Sequence, residues 1–167
     1  MPIDDRVDHV RGSDTGPLII EYGDFECPYS RQAYHEIQKV ERQLEGRVRV
    51  AFRHFPLTEI HPHAMAASTA AEAAATQGRY WEMHDMLFHR QKALEEDDLR
   101  GYAEELGLDL AAFDRDRKEP AVLTRIRRDI GSGEATGEVV GTPTLFIQGR
   151  IHRGSYSAAT LLAALQS

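Results

Sequence analysis

Two strand-like runs joined by one stretch of helical periodicity constrain this chain more than any other feature. Pro17-Leu18-Ile19-Ile20-Glu21-Tyr22 is short, β-rich and nearly all apolar, the pattern of a strand buried on both faces. From Cys27 onward, Ala33, Ile37, Val40 and Leu44 recur at helical spacing, and Gly46 follows as a stop. Val48-Arg49-Val50-Ala51-Phe52-Arg53 then alternates as a second strand. Strand, helix and strand at this spacing predict a right-handed crossover with the two strands parallel.

The junction between the first strand and the helix holds the chain's single cysteine, in Phe25-Glu26-Cys27-Pro28-Tyr29-Ser30. A thiol there faces the unpaired N–H groups and positive dipole end of the helix, which favour an anion. Thiolate is the nucleophilic form of cysteine, so the placement suits an activated sulfur. Pro28 fits the first helical position, because its fixed φ suits a helix start and its missing N–H has no partner to lose. The tetrad Cys-Pro-Tyr-Ser looks like a Cys-X-X-Cys redox site whose second cysteine is replaced by Ser30. A buried, inert cysteine packing as a small hydrophobe is the competing reading.

With 167 residues the chain suits one core, and 41% hydrophobic with 28% charged residues is ordinary for a soluble globular protein. A formal charge of −7 argues against nucleic acid or anionic membrane as partner, since both select basic surfaces. The start, Met1 to His9, lacks the apolar core of a secretory signal, and no segment reaches membrane-spanning length. These features, with no possible intrachain disulfide, predict a cytoplasmic protein.

Residues 1–16 read as a loosely held polar arm, with Asp8 to Arg11 adding a short edge strand, and 17–167 as one domain. Beyond the second strand the chain is helical: an alanine-rich stretch opened by His61-Pro62 and ended by Gly78, then helices marked by Trp81/His84/Leu87/Phe88 and by Leu99/Tyr102/Ala103/Leu106. Val122, Ile126 and Ile130 mark another, closed by Gly131-Ser132-Gly133. Thr144-Leu145-Phe146-Ile147, the Gln148-Gly149 turn and Arg150-Ile151-His152 form a hairpin, and Leu161, Leu162 and Leu165 a last helix.

Five segments in order carry a resemblance: Glu21 to Tyr29; Phe52-Arg53-His54-Phe55-Pro56-Leu57; His61-Pro62 with the alanine-rich helix; Gln77 to Asp85; and Gly141-Thr142-Pro143-Thr144-Leu145-Phe146-Ile147. Together they resemble the DsbA-like branch of the thioredoxin superfamily, in particular its bacterial cytoplasmic and FrnE-like relatives. The resemblance implies an α/β thioredoxin fold: a mixed sheet with a helical insertion, about 58–135, between the second strand and the C-terminal β-hairpin. It also implies that Pro143 is a cis-proline beside the sulfur, with the Thr142 backbone open to an extended peptide or glutathione. Pro28 and Tyr29 would help bind substrate, and Glu21 would be the buried proton acceptor found in many members. Against that last role, a strand-end Glu reaching water fits the pattern equally.

Ser30 carries three readings: a hydroxyl bonded to the Cys27 sulfur, a passive small residue, or a substitution that traps a mixed disulfide. Arg53 and His54 follow the second strand and would either supply a cation near the sulfur or lie on the surface. His61, His63, His84 and His89 invite a metal reading, but no acid cluster matches the His61-Pro62-His63 helix start and His84 sits on an apolar face, so no metal site is expected. Glu95-Glu96-Asp97-Asp98 reads as an acidic helix start, and Arg125, Arg127 and Arg128 as a solvated helix face.

The leading expectation is a thiol–disulfide oxidoreductase working through Cys27 alone, with no bound cofactor and with glutathione as co-substrate replacing the missing resolving thiol. Its substrates would be protein or small-molecule disulfides. Two alternatives stand beside it: a kappa-type glutathione transferase or isomerase, whose serine occupies the first tetrad position where this chain has Cys27, and a non-catalytic peptide-binding module. An iron–sulfur cluster would need a dimer and borrowed thiols, because each chain offers one cysteine.

Overall fold

The computed structural model describes residues 2–167. The two strand-like runs are β2 (Leu18–Gly23) and β3 (Arg49–His54), parallel neighbours joined by α1 (Pro28–Gln43). Ahead of them β1 (His9–Gly12) pairs antiparallel with β3. At the far end β4 (Thr144–Ile147) lies antiparallel to β2 and carries β5 (Arg150–Ile151) on its outer edge. The sheet order is β1-β3-β2-β4-β5. Between β3 and β4 run α2 (Ala64–Thr76), α3 (Tyr80–His89), α4 (Glu96–Glu105), α5 (Leu110–Asp116) and α6 (Pro120–Thr136), and α7 (Ala158–Gln166) follows the hairpin. This is the thioredoxin arrangement with its helical insertion.

Side-chain alternation along the strands divides the core. Ile19, Val50, Leu145 and Ile147 face α1 and α7, with Ile37, Val40, Leu161 and Leu165 completing the cluster. Ile20, Tyr22, Ala51 and Phe146 point the other way, against Phe55, Val139 and Ile130. The insertion builds its own cluster around Phe25, Phe52, Met83, Leu87, Phe88 and Leu99. The alanines of α2 let helices approach closely here, and every residue from Ala70 to Ala74 is buried.

Four expectations need correcting. The N-terminal arm is not loose: Arg11 pairs with Glu41 on α1 at 2.8 Å and with Asp85 on α3 at 2.9 Å, and the His9 ring stacks on Tyr80 at 3.6 Å. β3 does not alternate but is buried on both faces, Arg53 and His54 included. Helix α6 runs through Gly131-Ser132-Gly133 and ends at Gly137, whose φ of 70° provides the left-handed cap. Gly133 is there because a Cβ would lie 3.0 Å from the Tyr22 ring, so it marks close packing and not a stop. Finally, Arg125 and Arg128 are not simply solvated: Arg125 pairs with Asp129 and donates to the Val7 carbonyl at 3.0 Å, and Arg128 lies 3.7 Å from Asp8, while Arg127 is exposed.

The short α5 escaped the periodicity reading, since seven residues give too little pattern; its signal was Asp109, whose carboxylate accepts from the Ala112 N–H. The acidic run at 95–98 does open a helix, with the Asp98 carboxylate accepting from the Glu95 N–H at 3.1 Å.

Candidate active site

Cys27 is the N-cap of α1, extended at φ −76° and ψ 121°, with Pro28 at the first helical position. Its Sγ accepts from the Ser30 backbone N–H at 3.5 Å and donates to the Thr142 carbonyl, also at 3.5 Å. The sulfur therefore lies between a helix-start donor and a loop acceptor contributed by a segment 115 residues away. The Thr142–Pro143 peptide bond is cis. Exposure changes sharply along both segments: Cys27 is 3% exposed while Tyr29, two residues on, is 61% exposed, and Val140, two residues before Thr142, is 90% exposed.

Ser30 reaches the sulfur through its backbone and not its hydroxyl. Its Oγ instead accepts from the Asp24 N–H at 3.2 Å, inside a fully buried position. Thr142 likewise meets Cys27 through its carbonyl, and its buried Oγ1 has no partner among the described residues. Asp24 organises the loop before the cysteine: its carboxylate accepts from the Glu26 N–H at 2.8 Å, the Leu57 N–H at 2.9 Å and His61 Nδ1 at 2.7 Å. Glu26 takes both the backbone N–H and Nδ1 of His63, at 2.8 and 2.7 Å.

The histidines of the His61-Pro62-His63 start thus do have acids, one each, paired as hydrogen bonds and not gathered into a ligand set. Among the described residues no group of three or more His, Cys, Asp or Glu side chains could hold a metal ion. His84 is a core residue that donates to Asp85 at 2.8 Å, and burial pushes its pKa down to about 4. His89 is exposed, its ring 5.8 Å from that of His35.

Glu21 sits on β2 with Phe52 and Leu145 as its cross-strand neighbours. It is buried, its Oε1 has no hydrogen-bond partner among the described residues, and burial pushes its pKa up to about 8 against a weaker opposing pull from Arg11. A carboxyl of this kind is neutral at moderate pH and able to take or give a proton near neutrality. Of the two readings the sequence left open, the water-facing strand end is the one the structure overturns.

Arg53 and His54 supply no cation to the sulfur. The Arg53 guanidinium grips Asp8 at 2.8 and 2.9 Å and donates to the Tyr22 hydroxyl at 2.8 Å, while His54 Nε2 donates to Glu72 at 2.8 Å. Two residues that sequence reasoning passed over do belong to the site. The Gln91 side-chain amide donates to the carbonyls of both Phe25 and Cys27 at 2.8 Å, tying the α3–α4 loop to the cysteine's own backbone. Tyr156 reaches the first turns of α1, its hydroxyl donating to Gln32 Oε1 at 3.4 Å, and burial is the first cause that raises its pKa. No pattern in the chain announced either residue, because both arrive by tertiary folding from distant segments.

Known proteins share this architecture. A thioredoxin-like oxidoreductase from Silicibacter pomeroyi DSS-3 superposes with a TM-score of 0.85 at 28% identity, covering 95% of this chain and 90% of that one. BdbD from Bacillus subtilis superposes with a TM-score of 0.84 over 98% of this chain and 93% of that one, but at 16% identity, which speaks to fold alone. By sequence the chain is 45% identical over its whole length to a segment of Na(+)/H(+) antiporter NhaA 1 from Salinispora arenicola, and 43% identical over 99% of its length to a segment of NhaA from Herminiimonas arsenicoxydans. It spans 26% of each of those relatives, and none of its described helices is long and apolar enough to cross a membrane. A profile described as thioredoxin matches residues 4–167, essentially the whole of the sheet, the insertion and the cysteine-bearing helix start, and on that evidence the chain belongs to the thioredoxin family, with a single cysteine in its tetrad.

Proposed function

We propose that this chain catalyses thiol–disulfide exchange by a monothiol route. The observation that carries the reading is the sulfur of Cys27 held as N-cap of α1, accepting from the Ser30 N–H and touching the Thr142 carbonyl. The helix start supports a thiolate during attack. Cys27 attacks one sulfur of a disulfide, forming a mixed disulfide with it, and the other sulfur departs as thiolate and takes up a proton. Because Ser30 offers no second thiol, external glutathione attacks the mixed disulfide, regenerates Cys27 and leaves as the oxidised product. Glu21 is the group we assign to proton transfer with the sulfur, Pro28 and Tyr29 to substrate contact, and Thr142 and Pro143 to the opposite wall. The route needs a reducing, glutathione-containing setting such as the cytoplasm, and no bound cofactor. Where the matching segment is part of an antiporter, the same exchange would act on or beside that protein.

The exposed Tyr29 beside a nearly buried thiol, with Val140 exposed just before the Thr142–Pro143 segment, favours a second reading, a binding module that holds extended segments without redox turnover. One experiment separates the two: glutathione-dependent reduction of a small mixed disulfide by the parent, Cys27→Ser and Ser30→Cys. Turnover that disappears in Cys27→Ser supports the monothiol route. An inactive parent beside an active Ser30→Cys rejects it in favour of binding.

A further inference from the structure

The chain carries a net charge of −7, yet a cavity beside the cysteine is lined by two arginines and a lysine. It encloses about 640 Å³ between the start of α1 and the α3–α4 loop, and Pro28, the residue after Cys27, is part of its lining. Arg31, His89, Arg90 and Lys92 face it, with Glu26 as the one carboxylate. That carboxylate is already engaged twice by His63. Arg31, part of the lining, is anchored by Nε to the Phe88 carbonyl at 2.9 Å and makes no ion pair among the described residues. Arg90 is held bidentate by Glu105 at 2.8 and 2.9 Å, but Lys92 has no carboxylate within ion-pair distance among the described residues. Burial first, then the charges of Arg31, His89 and Lys39, push the pKa of His35 down. Gln91, also in the lining, bonds the Cys27 carbonyl, so the cavity is mechanically continuous with the nucleophile.

We infer that this cavity seats the carboxylate-bearing half of a small anionic disulfide, glutathione disulfides being the accessible kind. The inference rests on the exchange reading above and specifies its substrate class. Its volume is in the range of small-molecule sites, and unpaired cations beside a nucleophile raise the local concentration and encounter rate of an anion. The bonds made and broken are those of the monothiol route: Cys27 sulfur joins the anionic half, the other half leaves as thiolate and is protonated, and a thiol reductant restores Cys27.

The test is the second-order rate of Cys27 with three disulfides, oxidised glutathione, bis(2-hydroxyethyl) disulfide and cystamine, each normalised to its rate with free cysteine. Parent, Lys92→Gln and Lys92→Glu are compared at low and high salt, with circular dichroism verifying the fold. The expected result is a parent preference for oxidised glutathione over the uncharged disulfide of roughly tenfold at low salt. That ratio should fall stepwise through Lys92→Gln to Lys92→Glu and shrink with added salt. Normalised rates that are equal for all three disulfides, or a ratio indifferent to Lys92, would overturn the inference while leaving the exchange reading intact. Absence of reaction with every disulfide would overturn both.

Discussion

Glu21 and Glu72 are both carboxylates sealed inside the protein, one on β2 between Phe52 and Leu145 and one where β1 and the insertion meet, and their surroundings drive them in opposite directions. Glu21 lies among Phe52, Leu145 and strand backbone, and with no partner for Oε1 its burial pushes the pKa up to about 8. Glu72 is almost as buried, and burial alone would push it the same way. Instead Oε2 accepts from His54 Nε2 and from His9 Nε2, both at 2.8 Å, and Arg125 lies 4.0 Å from Oε1, so its pKa is held far below the usual carboxylate range. Burial thus does not by itself decide the state of an acid; the number of donors aimed at it does. The partnered acid belongs to structure, fastening β1 and α2 to β3, and the other is the one we propose for proton transfer.

The sharpest way to break this contrast is to remove the fastening. Glu72→Gln should destabilise the fold by about 3–5 kcal/mol in urea unfolding, because it leaves two imidazoles and Arg125 facing a neutral amide in a buried place. As a depressed acid, Glu72 contributes stability above its ordinary 4.5, and that contribution is lost as pH falls toward its folded value. A neutral result would mean that the three partners do not act on one carboxylate.

Glu21→Gln should do the reverse. A raised acid is ionised when unfolded but neutral when folded between 4.5 and about 8, so the parent loses stability as pH rises through that window. At pH 7 the loss amounts to about 3 kcal/mol, and Glu21→Gln should flatten the slope while raising stability there. The measurement is unfolding free energy at several pH values, and a parent curve without a decline between 4.5 and about 8 would contradict a neutral buried Glu21.

The smallest effect is expected from His9→Ala, which takes away one of the two imidazoles on Glu72 and the stack on Tyr80. About 1–2 kcal/mol should be lost. Amide hydrogen exchange should quicken in β1 while β2 and the β3–β2 pairing keep their protection. Equal acceleration across the sheet would show that β1 does not open as a separate unit.

Much of the fold was legible along the chain because its signals are local. Apolar runs and their spacing marked β2, α1, β3 and β4, and Cys27-Pro28 marked where the helix starts, all within about one element of sequence. Gly131-Ser132-Gly133 misled for the same reason, since a glycine kept small by the Tyr22 ring looks identical to one that ends a helix. The site divided along the same line. Cys27 and its place in the tetrad were visible, but the Ser30 hydroxyl turned to Asp24, and Gln91 and Tyr156 joined from the insertion and from the segment before α7.

The sequence by itself determined the βαβ crossover, the cysteine at its helix start and the family to which they point, because periodicity and capping are set by neighbours within a few residues. Only the tertiary structure decided which buried groups carry charge: whether Glu21 meets a donor, whether Arg53 faces a sulfur or Asp8, and which cations gather beside Pro28. Those outcomes depend on desolvation and on partners tens of residues away, and electrostatic free energy is fixed by distance in space and not by distance along the chain.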